Sequence, residues 1–190
     1  MNKLFMAGAV AILFFLVSCS SSESIDTNEL DKYDVVQTSF EVIQDDFILR
    51  LISEKEEYKE GEEVTLYGEI EYIGEKDEIT IHHSSSAILF PIEEKIRSYH
   101  IDFYVEDEEL ETRLRKGELY REDYKKSGEY SPEEDHENYI NFIKDFIERE
   151  DFPTGYYVVE GYADFFLEEE DGEPREIFKI EGEIDFKVYE

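Results

Sequence analysis

The side chains with which this chain of 190 residues could do chemistry are four histidines, a run of three serines, one cysteine and 51 carboxylates. Zinc needs imidazole, thiolate or carboxylate ligands converging on a tetrahedron. His82 and His83 are adjacent on a segment that reads as a strand, so they leave it on opposite faces and cannot chelate together. His100 and His136 fall on separate elements, so all four read as ordinary surface histidines. Ser84-Ser85-Ser86 follows the histidine pair. A nucleophilic serine needs a base within hydrogen-bond reach, an orienting carboxylate and an oxyanion hole, which sequence neighbours do not supply. The sequence has no Gly-x-Ser-x-Gly and no glycine-rich phosphate loop. Among 51 acids, close carboxylate pairs arise by chance and identify nothing. Asp45-Asp46 and Glu168-Glu169-Glu170-Asp171-Gly172-Glu173 are dense in oxygen ligands for calcium, but the EF-hand spacing is missing and both read as solvated loops. The expectation is a non-catalytic protein with no cofactor and no metal ligand.

The charge balance narrows the partners. With 19 Lys and Arg the formal net charge is −32, which repels nucleic-acid phosphates and anionic headgroups and attracts basic proteins or cations. Nucleic acid is excluded as an expected partner. The plainest reading of the acidity is a surface adapted to high salt or high pH and kept soluble by self-repulsion.

Cys19 is the only cysteine, so the chain has no internal disulfide. Lys3 gives a short positive start and Leu4–Val17 is apolar. As a helix that run would span about 21 Å, short of a hydrocarbon core of roughly 30 Å, which points to an export signal and not to a permanent span. Leu16-Val17-Ser18-Cys19 resembles the lipobox of bacterial lipoproteins. That resemblance implies a signal peptide over 1–18, lipid on the Cys19 thiol (palmitate among the acyl chains), and a protein exported and anchored to the outer, extracellular face of the bacterial cell membrane. Loss of residues 1–18 removes Lys3 and leaves 18 basic against 51 acidic residues, a net −33. Residues 19–36 are polar without periodicity and read as a flexible tether. A domain over 37–190 is long enough to hold itself together by core burial.

Period-two alternation runs through that domain. Thr38–Ile43 and Phe47–Ile52 read as strands, the second apolar on both faces and hence central. After the charged turn Glu54–Glu63, a strand puts Val64, Leu66, Ile70 and Tyr72 on its inner face. Gly68 shares that face, where a missing side chain marks a bulge or close approach. A turn at Gly74–Asp77 leads to Glu78–His83, completing an expected hairpin. Ile88, Phe90 and Ile92 alternate around Pro91, which favours an edge, and Tyr99–Val105 is a further strand. Glu106–Tyr130 is ambiguous between short strands broken at Lys116-Gly117 and a helix over Glu108–Arg115. Ser131-Pro132 with Glu134 reads as a capping box opening a helix to Arg149, with Tyr139, Ile140, Ile143, Phe146 and Ile147 on one face. In the closing hairpin Tyr157, Val159, Ala163 and Phe165 point inward and Tyr156 outward. Its last strand puts Phe178, Ile180, Ile184, Phe186 and Val188 on one face, with Lys179, Glu181, Glu183, Asp185 and Lys187 on the other. Outward tyrosines such as Tyr67, Tyr104, Tyr156 and Tyr162 could line a sugar or peptide surface, but cross-strand packing is the better account of them.

Two short patterns carry a family resemblance. Lys55-x-x-Tyr58-Lys59-x-Gly61-Glu62-x-Val64 is similar to the start of the second strand in many bacterial immunoglobulin-like domains. Pro153-x-Gly155-x-Tyr157-x-Val159 is similar to the start of a late strand in the same domains. Both occur in the bacterial intracellular proteinase inhibitor family and its relatives on surface lipoproteins. The resemblance implies a mainly β, immunoglobulin-like antiparallel β-sandwich with one helical insertion at about 131–150. Its expected role is a non-catalytic binding lipoprotein of the bacterial cell envelope with an envelope protein or peptide as partner. Two alternatives stand beside it: a proteinase inhibitor presenting Glu106–Tyr130 as its loop, and an envelope hydrolase using paired carboxylates. The address is the most directly testable part. Cys19→Ala is expected to shift the protein from the membrane to the soluble fraction; membrane retention at the wild-type level would refute the anchor.

Overall fold

The computed structural model describes residues 25–168 and 175–190; Cys19 and the acidic stretch 169–174 lie outside the described residues. In chain order the elements are α1 (Thr27–Leu30), β1 (Ser39–Gln44), β2 (Phe47–Ser53), β3 (Glu57–Lys59), β4 (Leu66–Tyr72), β5 (Glu78–His83), β6 (Ile88–Leu89) and β7 (Ile92–Glu94). They continue with β8 (Tyr99–Ile101), β9 (Leu110–Arg115), β10 (Leu119–Asp123), α2 (Glu137–Glu148), β11 (Gly155–Val159), β12 (Tyr162–Leu167), β13 (Glu176–Glu181) and β14 (Ile184–Tyr189). The fold is mainly β, as the alternation implies, with antiparallel sheets stacked as a sandwich and one helix of three turns.

One layer is the sheet β1-β2-β4-β10. Facing it are the ladders β3-β14-β11-β7-β8 and β13-β12-β5-β9, with β6 on β12. These two ladders share one ribbon. β11 runs on into β12, β13 into β14 and β6 into β7, and all three bend at the same level. There Glu160 donates to Pro91 O at 3.0 Å and Gly182 donates to Gly161 O at 2.8 Å. The bend lies against the inner face of the opposite sheet. A Cβ on Gly161 would meet Leu51 Cδ1 at 2.8 Å, and one on Gly182 would meet Phe40 Cδ1 at 2.4 Å. Glycine is required at both by this close approach. Either side of the bend the core is aromatic: Phe47 packs edge-on to Phe165 and Phe178, while Tyr157 stacks on Phe186 at 5.3 Å.

Several expectations change. Gly74–Asp77 does not close a hairpin, because β4 pairs with β2 and β10 while β5 pairs with β9 and β12 in the facing layer. The chain crosses between layers here, and crosses again at Lys116-Gly117, where Gly117 donates to Tyr72 O at 2.9 Å and stacks one arch on the other. The stretch 106–130 is therefore built largely into both layers and is not one long exposed loop. Pro91 sits in the bend between β6 and β7, not on an edge. The charged turn Glu54–Glu63 contains β3, parallel to β14, with Tyr58 buried and its hydroxyl 3.0 Å from Ser53 Oγ. Helix α2 begins at Glu137, five residues later than the capping box implies. Ser131 donates its N–H to Asp135 Oδ2 at 2.6 Å in a separate turn, and His136 flanks the helix without a side-chain cap.

The largest correction concerns the tether. From Ile25 onward the segment is folded onto the outer face of β11 and β14: Ile25 and Leu30 are buried with Tyr156 and Val158, and Tyr33 stacks on Tyr156 at 4.8 Å. Val36 and Gln37 each donate a backbone N–H to the Asp185 carboxylate at 2.7 Å, and Tyr156 donates its hydroxyl to the same group at 2.8 Å. Asp185 is 3% exposed. Tyr156 does leave β11 on the face opposite Tyr157, so the register is right; the strap, not solvent, covers it. Tyr157 is fully buried and donates to Pro153 O at 2.7 Å.

Asp185→Ala would leave three donors under the strap without their acceptor. It is expected to cost on the order of 3 kcal/mol, against about 1 kcal/mol for Tyr156→Phe, which removes one of the three bonds. Denaturant midpoints of the two variants should rank in that order; an Asp185→Ala protein as stable as wild type would contradict the strap.

Candidate functional site

An open groove of about 850 Å³ lies between the β7–β8 hairpin and the approach to α2. Its hairpin wall carries Arg97 to His100 and Asp102; its helix wall carries Glu134 to Tyr139. Helical spacing places Phe142, Ile143 and Phe146 on the buried face of α2. Tyr99 holds this helix to the hairpin, packing on Tyr139 at 5.3 Å and on Phe142 at 5.1 Å. The Tyr139 hydroxyl donates to His100 O at 2.7 Å, and burial, then the nearby Asp102 and Asp135 carboxylates, push it up to about 12. It therefore remains a neutral donor at physiological pH. Arg97 lies over the Phe142 ring, pairs with buried Glu94 at 3.3 Å and donates to Thr154 O at 3.1 Å. Four carboxylates line the groove, at Asp102, Glu134, Asp135 and Glu137, so its field is negative.

Helix α2 is pinned at its other end. Lys126 reaches over the Phe146 and Phe152 rings and donates to Phe146 O at 2.8 Å and to Arg149 O at 3.2 Å, satisfying the terminal carbonyls. Burial pushes its ammonium down to about 8, which leaves it cationic at neutral pH. Arg149 forms a two-pronged pair with Asp151, both contacts at 2.7 Å, and Asp151 also accepts the N–H of Gly61. Burial works to raise the Asp151 carboxyl, but the Arg149 guanidinium and the Gly61 N–H hold it below the usual carboxylate range.

The residues weighed from sequence distribute as follows. His100 and His136, on separate elements, are brought to opposite walls of one groove. His82 and His83 are buried, not surface histidines, because β5 is an inner strand of its ladder. They do diverge: His83 contacts Ser84 O at 2.7 Å and Thr112 Oγ1 at 2.8 Å, whereas His82 faces Glu109 and Glu168. The serine run is engaged elsewhere, with Ser84 Oγ donating to Ser86 O, Ser86 Oγ to Ile88 O, and Ser85 Oγ accepting from Glu106 N. The four tyrosines do not gather into one surface. Tyr67 lies under Arg121, Tyr162 under Lys179, Tyr156 under the strap, and Tyr104 is exposed. The groove itself had no sequence signal, since it depends on where α2 docks.

Comparison of the chain with protein-family models, with curated proteins and with solved structures returns no match. Among the described residues, no helix is long and apolar enough to cross a membrane.

Because the folded Asp151 carboxyl lies below its unfolded value, its contribution is fully present above the unfolded pKa and is lost as pH falls through the folded one. The stability difference between wild type and Asp151→Asn is therefore expected to be constant near neutrality and to shrink below about pH 4. Urea midpoints from pH 7 to pH 2 measure it; a difference that does not change with pH would place the effect outside the ion pair.

Proposed function

We propose that the chain is a lipid-anchored, non-catalytic interaction module of the bacterial envelope, built on an immunoglobulin-like sandwich, whose groove takes a basic polypeptide segment of an envelope partner. The observation that carries this reading is the lining of the groove. Four carboxylates stand there with Tyr99 and Tyr139, while the one guanidinium present is already paired with Glu94 and bound to Thr154 O. Lysine or arginine side chains would find carboxylates to pair with and aromatic rings to lie against. The field of a chain carrying −32 would steer such a partner toward it. The anchor rests on the Leu16–Cys19 resemblance. It combines with one further fact: the strap is already packed on the sheet at Ile25, six residues beyond Cys19. A lipidated Cys19 would hold the domain within about 20 Å of the bilayer, which suits a partner embedded in or lying on the same membrane.

The test is site-specific photocrosslinking in intact cells, with the probe at Asn138 in the groove or at Ile177, which is 72% exposed on β13. The reading predicts a salt-sensitive adduct with one protein from Asn138 and none from Ile177. The Asn138 yield should fall at least tenfold with Glu134→Lys plus Glu137→Lys. Equal labelling from both positions, or inhibition of a secreted protease by the purified chain, would overturn it.

A further inference from the structure

A second cluster, on the opposite kind of surface, has the chemistry of a metal site. His82 is 7% exposed and its Nδ1 is buried without a hydrogen-bond partner. Buried polar atoms are nearly always partnered, so an orphan needs a reason. The side chain is not loose. The imidazole stacks on Phe166 at 5.1 Å with planes 16° apart, and Arg175 lies over that phenyl ring at 3.7 Å, so the plane of the imidazole is held. What the Nδ1 faces is Glu109, whose Oε1 is 3.7 Å away, beyond hydrogen-bond reach, together with Glu168. One ligand atom from each of the three lies within 4.8 Å of the others.

Register explains the convergence. On the ladder, His82 stands opposite Glu111 of β9 and opposite Phe166 of β12. Glu109 lies two residues before Glu111 and Glu168 two beyond Phe166, and both neighbouring strands run antiparallel to β5, so the carboxylates share the face of His82 and flank it from opposite directions along the strand. One fixed ligand comes from the central strand, and two exposed, adjustable ones flank it.

We propose that His82 Nδ1, Glu109 and Glu168 bind a divalent metal ion of the zinc type, with water completing the coordination. Zinc sits about 2.0–2.2 Å from nitrogen and oxygen ligands, which puts tetrahedral ligand atoms about 3.4 Å apart. The 3.7 Å between His82 Nδ1 and Glu109 Oε1 already approaches that spacing, and exposed carboxylates close the remainder by side-chain rotation. An imidazole nitrogen in the set favours zinc over calcium or magnesium, which prefer oxygen alone. Glu168 also accepts from Arg175 at 3.2 Å, which orients that carboxylate and leaves its second oxygen to the metal. The site is separate from the groove and stands whether or not the groove binds a basic partner.

The experiment titrates zinc chloride, calcium chloride and magnesium chloride separately into the chelator-stripped full chain in mild detergent, with binding read by calorimetry and by thermal midpoint. The expected result is one zinc per chain with a micromolar Kd, at least tenfold weaker binding of calcium and magnesium, and a rise in midpoint on zinc addition. His82→Phe keeps a ring on Phe166 and removes the nitrogen; it should weaken zinc binding at least tenfold and abolish the midpoint shift. If that variant does not fold, Glu109→Gln, at an exposed position, should produce the same loss. Zinc binding undiminished in His82→Phe would mean an ion held by surface carboxylates alone, and no stoichiometric zinc in the wild type would mean that Nδ1 serves only as an ion-pair partner for Glu109. Either result overturns the proposal.

Discussion

Everything in this molecule is hung on one close approach: the ribbon β11–β14 must bend at Glu160-Gly161 and Gly182-Glu183 while pressing on Leu51 and Phe40 of the other layer. A Cβ at either position would come closer to Leu51 or Phe40 than van der Waals contact allows, so those side chains would have to shift. With glycine at both positions the ribbon folds over the facing sheet. Its two halves then enclose one continuous aromatic core, from Phe178 at one end to Phe152 at the other. The same logic applies at Gly68, where a Cβ would strike Ile88 at 2.8 Å. Sheets this twisted close only where the backbone can come near.

A second constraint acts on the outer face. β11 and β14 carry Tyr156, Val158, Asp185 and Lys187 away from the core, and all four are buried. A buried carboxylate is costly unless its acceptor capacity is filled, and Asp185 is filled by two strap amides and one phenol. The strap and the sheet need each other: without the strap Tyr156 and Val158 would be an exposed apolar patch, and without Asp185 the strap amides would have no acceptor. Burial and the neighbouring carboxylate accordingly push the Tyr156 phenol well above its ordinary range, keeping it a donor. The functional surfaces lie away from this seal. The groove depends on Tyr99 and Tyr139 locking α2 to a hairpin, and the histidine–carboxylate cluster depends on β5 lying between β9 and β12, whose flanking residues Glu109 and Glu168 reach His82.

Much of this was legible in the residues. Strict alternation identified β4 and the correct inward set of the closing hairpin, Tyr157 included, because a period of two can face a core in only one way; it read β11–β12 as one strand and β13–β14 as another, since the alternation carries through the bend. The partners of each strand were not legible. The Gly74–Asp77 turn has hairpin chemistry, yet an arch between layers uses the same turn residues and is decided by long-range pairing. The strap was hidden because Ile25, Leu30 and Tyr33 are isolated apolar residues in a polar stretch, and only the waiting face of β11 gives them meaning. His82 and His83 were correctly placed on opposite faces but wrongly placed in solvent, since burial of β5 follows from β9 and β12 flanking it. The groove and the cluster at His82 join residues dozens of positions apart, and a single sequence carries no signal of that proximity.

The central claim is that the two ladders of the second layer are one ribbon bent over glycine and not two sheets joined by loose links. Amide hydrogen exchange at the bend tests it most directly. The Glu160 and Gly182 amides, bonded to Pro91 O and Gly161 O, should exchange only as slowly as global unfolding allows, matching Tyr157 and Phe186 within the core. Exchange at Glu160 and Gly182 near the rate of an unstructured peptide, with the flanking strands still protected, would contradict it.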